Sequence, residues 1–85
     1  MTLHILSSLE SLSHCLPALH TGDDLLLTLD AVYLSLQSAS LPCKPHVLRD
    51  DLAARGLIDH ATDLVVVGMD GFVELTTRHQ HCLSW

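Results

Sequence analysis

Basic side chains are scarce in this 85-residue chain. Lys44, Arg49, Arg55 and Arg78 are the whole supply, against ten Asp and Glu, for a formal net charge of −6. They are dispersed, and a surface that grips phosphate needs them clustered to displace counterions. Direct binding to RNA or DNA is therefore not expected, nor is attachment to an anionic membrane. Aromatics are also few, at 4%. No apolar run approaches the ~20 residues that span a bilayer. The first twelve residues carry no basic side chain and are broken by His4, Ser7, Ser8 and Glu10, unlike a secretory leader. No glycine-rich phosphate fingerprint follows an apolar run. Gly68-Met69-Asp70-Gly71 lacks both the Lys-Ser/Thr pair of a P-loop and the spaced glycines of a dinucleotide turn.

What is present is aliphatic. Apolar residues make up 48% of the chain, and leucine alone supplies 19 positions. A chain of this length fits one domain, residues 1–85. Such a domain buries only about 60–65% of its unfolded surface. Part of the aliphatic excess is expected at a protein–protein interface, because small monomers rarely tolerate large exposed apolar patches. Scattered surface leucines are the plainer alternative. Three cysteines, Cys15, Cys43 and Cys82, are an odd number without an export signal. They read as reduced thiols of a cytoplasmic protein.

Leu25 to Leu29 and Leu64 to Val67 are continuous apolar runs, as expected for strands covered on both faces. Leu3 to Leu6 reads as a short first strand. His46 to Leu48 reads as a weaker one, with Pro45 at its start or on an edge. Between them lie helical patterns. Leu9, Leu12, Leu16 and Leu19 form one apolar stripe, with Ser7 or Ser8 as a cap. Asp30 is expected to cap a second helix, Ala31 to about Ser38. Asp50 and Asp51 suit the positive end of a third, which Gly56 stops. Asp70 is expected to cap a fourth that runs through Arg78, with Phe72, Leu75 and His79 on one face. The alternation predicts an α/β fold, three layers α/β/α, around a mainly parallel sheet.

In such a sheet ligands meet the carboxyl ends of the strands. Ser7, Ser8, Asp30 and Gly68 to Gly71 are expected there. Asp30 and Asp70 together could form an acidic site, although helix caps are the simpler use. His79, His81 and Cys82 are close in sequence, but no CxxC pair or His at i, i+4 supports a metal site. No spacing orders a nucleophilic triad, and no cofactor is implied. Cys43 sits in a loop where exposure makes a thiol oxidisable. Cys15 is the candidate for chemistry. It flanks the leucine stripe, so partial burial is expected. Reactivity requires an accessible thiolate near a helix N-terminus or cations. Pro17 ends or bends the helix just beyond it. If Pro17 instead opens a new helical segment, Cys15 lies near an N-terminus.

Three stretches resemble the TusB/DsrH family of sulfur-relay proteins: Asp24 to Tyr33 (DLLLTLDAVY), Asp51 to Leu57 (DLAARGL), and Asp70 to His79 (DGFVELTTRH) with the final Leu83-Ser84-Trp85. The opening Leu3 to Leu6 is similar too, so the likeness runs nearly the whole chain. Ala31 stands where the family more often has glycine. The resemblance implies a DsrE/DsrF/DsrH-like fold and a heterohexamer with TusC/DsrF-like and TusD/DsrE-like subunits. It implies passage of persulfide sulfur between carrier proteins toward 2-thiolation of the tRNA wobble uridine. The main persulfide cysteine then belongs to the TusD/DsrE-like partner, and this subunit is non-catalytic. Some DsrH-type members carry a cysteine in the first helix, and Cys15 is similarly placed. It is thus a possible auxiliary sulfur carrier, as in a sulfur-oxidation relay. An unrelated small α/β binding module is the remaining reading.

Overall fold

The computed structural model describes residues 2–41, 45–60 and 64–85. Cys43, expected above as an exposed loop thiol, lies outside them. The strands are β1 (Thr2–Leu6), β2 (Asp24–Leu27), β3 (His46–Leu48), β4 (Val65–Val67) and β5 (His81–Ser84). The helices are α1 (Ser11–Cys15), α2 (Arg49–Ala54) and α3 (Met69–Arg78), with 3-10 segments at Leu16–Ala18, Leu29–Ser40 and Ile58–His60. The strands form one sheet in the order β4-β3-β2-β1-β5, and every neighbouring pair is parallel.

This order decides which face each connection covers. From β1 to β4 the chain steps to the next strand in one direction each time. Right-handed crossovers then place all three connections on the same face. The return from β4 to β5 carries α3 over the other face. The core divides accordingly. Leu6, Leu25, Leu27 and Val47 pack with Cys15, Ala31, Val32, Leu34, Leu52 and Leu57 from the first three connections. Leu3 and Leu26, which alternate with them along the strands, pack against Leu75 of α3.

Several expected elements stand. The β1 and β3 strands are present, and Pro45 precedes β3. The α2 helix ends as predicted, with Gly56 in the left-handed region at φ 68°. Phe72 and Leu75 share the buried face of α3. Gly71 lets that helix close on β4, since a Cβ there would lie 2.9 Å from the Cβ of Val67.

Other expectations are corrected. The β2 strand stops at Leu27, because Leu29 adopts φ 49° and begins the 3-10 segment. The β4 strand is not covered on both faces. It is an edge strand, and Val65 and Val66 are exposed. The stripe of Leu9, Leu12, Leu16 and Leu19 faces the core only in part: Leu12 and Leu19 pack against it, Leu9 and Leu16 are exposed, and Ser11 and Cys15 are buried. Pro17 does end the α-helix, which passes into the 3-10 turn. Neither Ser7, Ser8, Asp30 nor Asp70 is a cap. The α1 N-cap is Glu10 and the α3 N-cap is Gly68, neither with a side-chain cap bond. The C-terminal run after Arg78, where no strand was expected, holds the fifth strand.

Candidate functional site

At the carboxyl ends of the strands the charged groups neutralise one another. Arg55, in the C-cap of α2, donates from Nε and Nη2 to Asp30 Oδ1 at 3.1 and 2.9 Å. Its Nη1 lies 3.9 Å from Asp51 Oδ1. Asp51 Oδ2 accepts the amide of Leu29 at 2.8 Å, which holds that residue in its left-handed conformation. Asp30 is thus engaged by a guanidinium. Asp70 lies in the first turn of α3, beyond β4, and at about 4.8 Å per strand it is two strands from the end of β2. The fold does not bring these two carboxylates into one acidic site.

Cys15 is fully buried, at 0% exposure, in the core cluster that includes Leu6 and against which Trp85 packs. It is the last residue of α1 and also the residue preceding the 3-10 turn that contains Pro17. Three 3-10 residues supply little dipole to favour a thiolate, and the α1 carboxyl end opposes one. The candidate thiol is therefore packed and shielded from water.

Ser7, Ser8 and Ser11 do meet, but around the chain itself. Ser7 Oγ and Ser11 Oγ donate to the backbone oxygen of Trp85 at 3.1 and 2.9 Å, and Ser8 Oγ lies 2.8 Å from Ser11 Oγ. The amide of Trp85 donates to Ile5. The end of β5 is thus gripped by β1 and α1.

Two histidines are buried: His79, expected on the Phe72–Leu75 face, and His4, whose burial was not expected. His4, 1% exposed, places Nε2 3.0 Å from Asp23 Oδ2 and Nδ1 3.1 Å from the indole nitrogen of Trp85. Asp23 also accepts the amides of His20 and Thr2. The His20 amide foremost, then the His4 ring and the Thr2 amide, hold its carboxyl well below the ordinary carboxylate range, against the raising effect of burial. On the other face His79 sets Nδ1 2.7 Å from the Leu75 carbonyl and Nε2 2.8 Å from Asp24. The one available hint was Trp85, whose indole N–H usually finds an acceptor when buried. Its partner is 81 positions away, and no local pattern names it.

The sequence cluster His79, His81 and Cys82 does not converge. His79 turns inward, while His81 and Cys82 are exposed on successive positions of β5 and so point to opposite faces. Among the described residues no group of three His, Cys, Asp or Glu could hold a metal ion. No helix among them is long and apolar enough to cross a membrane.

These features define a small parallel α/β domain whose polar groups mostly bind its own chain. The family model described as "DsrH like protein" matches residues 7–82. The chain belongs to that family, the TusB/DsrH group. It is 37% identical to Protein TusB of Shigella dysenteriae, over 99% of this chain and 97% of the relative. Protein TusB of Escherichia coli is 36% identical over the same shares. Protein TusB of Serratia proteamaculans is 40% identical over 75% of this chain and 76% of its own.

Proposed function

We propose that the chain is a structural subunit of a sulfur-relay assembly for 2-thiolation of the tRNA wobble uridine, acting with TusC/DsrF-like and TusD/DsrE-like partners in a heterohexamer. The observation that carries this reading is the full-length similarity to TusB proteins. Two structural features support it. Apolar side chains stand in water on the thinly covered side: Met69 is 62% and Val73 55% exposed on α3, and Val65 39% on β4. Surfaces of this kind suit association. The burial of Cys15 supports placing the main persulfide cysteine on the TusD/DsrE-like partner, with sulfur reaching carrier proteins through the complex. The acidic charge fits an indirect relation to tRNA, and the work is cytoplasmic.

Cys15 serves as packing in this reading. Sulfur transfer by it would require α1 to lift from the sheet. The test is mass spectrometry of the assembled complex after exposure to a persulfide donor. The expected result is a gain of one sulfur atom on the TusD/DsrE-like subunit and none on this chain. A sulfur adduct on Cys15 would replace the structural role with that of an auxiliary carrier.

A further inference from the structure

We infer that the adjacent carboxylates Asp23 and Asp24 pin the two ends of β5 through two histidines locked in opposite protonation states, so that docking of this strand is proton-linked from both sides. His79 immediately precedes the strand's approach to β1, and Trp85 immediately follows its last residue. Among the described residues the β5 strand pairs only with β1, so these end contacts matter to its attachment.

The hydrogen-bond partners dictate the protons. An indole N–H only donates. His4 Nδ1, at 3.1 Å from it, must therefore present a lone pair. The ring proton sits on Nε2 and is donated to Asp23 at 3.0 Å. The near-coplanar rings, 21° apart, suit this in-plane bond. His4 is thus neutral while Trp85 is docked. For His79 the demand is reversed. The Leu75 carbonyl only accepts, so Nδ1 carries a proton. Nε2 faces the carboxylate of Asp24 at 2.8 Å and donates a second one. His79 is an imidazolium, placed at the C-cap of α3 where the helix dipole favours a cation.

Acid adds a proton to His4 Nδ1 and sets it against the indole N–H. The Trp85 contact is lost while the Asp23 contact persists. Alkali removes a proton from His79, which then loses either Asp24 or Leu75. Docking is strongest between these limits. The other titratable or charged groups on the packed elements are His81 and Cys82 on β5, Asp70, Glu74 and Arg78 on α3, His14 and Cys15 on α1 with Glu10 at its N-cap, and His20 in the turn before β2.

The test uses the full chain labelled with 15N-histidine, titrated from about pH 5 to about pH 8, the window in which histidines change charge. NMR reads each ring nitrogen, and emission reads Trp85, the single tryptophan. At neutral pH His4 is expected to show a bare Nδ1 and a protonated Nε2, and His79 two protons. Trp85 emission shifts red in acid, in step with protonation of His4 Nδ1. His4→Gln, which can still donate to Asp23 and accept from the indole, is expected to lose that acid transition. His79→Gln loses the alkaline one. A doubly protonated His4 beside a docked Trp85, a singly protonated His79 in the docked chain, or an unchanged acid transition in H4Q would overturn the inference. The ring-nitrogen signals of the unsubstituted chain decide alone if a variant does not fold.

Discussion

The two faces of the sheet carry very different loads. One is packed by α1, the long 3-10 segment and α2, which together seal Leu6, Leu25, Leu27 and Val47. The other has only α3, resting on Leu3 and Leu26. Five strands at about 4.8 Å spacing are about 19 Å across, while a helix with its side chains is about 10 Å wide. One helix therefore covers about half of that face. The asymmetry follows from strand order alone, and it places the exposed Val65, Met69 and Val73 on the thin side. The thick face makes the fold, yet apolar side chains stand exposed on both sides, Leu9, Leu29 and Leu36 on the connections of the thick face as well as Met69 and Val73 on the thin one.

The largest expected effect is on the thick face. Leu27→Ala should destabilise the chain by about 2–5 kcal/mol, since three packed elements cannot all collapse into the gap. Leu26→Ala, equally buried but under α3 alone, should fall at the lower end of that range. Paired denaturant melts compare the two, and a larger loss at Leu26 would break the comparison. Asp23→Asn comes next. It removes the charge of a buried carboxylate that accepts three donors, replaces one of its oxygens by a donating amide, and should cost about 1–3 kcal/mol at neutral pH. The sign of the pH effect follows from the lowered folded pKa of Asp23. Its contribution is fully present above the ordinary carboxylate value of about 3.9. It is lost as pH falls from there toward the folded value. An Asp23→Ala chain should therefore be less stable at neutral pH but lose less stability on acidification, with a flatter slope of stability against pH between about pH 4 and about pH 2 in denaturant melts.

Smaller effects sharpen the contrast. Arg55→Ala removes a partly exposed pair with Asp30 and should cost about 0–1 kcal/mol by thermal melt. Val73→Asp on the thin side should change the stability of the chain by no more than about 0.5 kcal/mol. It should nonetheless reduce co-purification with TusC/DsrF-like and TusD/DsrE-like partners. Unimpaired pull-down of both partners by this variant would remove α3 from the contact surface.

Much of this arrangement was legible in the residues, and the misses have physical causes. The β1 strand, α2 with its Gly56 stop, and the Phe72–Leu75 face of α3 are local features, and local pattern finds them. Val65 to Val67 reads as buried because its composition is that of a central strand. Only the order β4-β3-β2-β1-β5 makes it an edge. The leucine stripe holds only at Leu12 and Leu19, because Pro17 cuts α1 to five residues, and so short a helix turns Ser11 and Cys15, not Leu9 and Leu16, toward the sheet. The β5 strand has no alternation of its own and exists through pairing with β1 at the far end of the chain. The same distance hid His4, Asp23 and Trp85 from one another. Cys15 was readable as a candidate, but its depth was not.

The proposed role is that of a subunit working with TusC/DsrF-like and TusD/DsrE-like chains. Co-expression with TusC/DsrF-like and TusD/DsrE-like chains, followed by native mass measurement, tests it most directly. A stable hetero-oligomer containing this chain is expected, with poor solubility or self-association of the chain alone. A monodisperse monomer at micromolar concentration that ignores both relatives would contradict it.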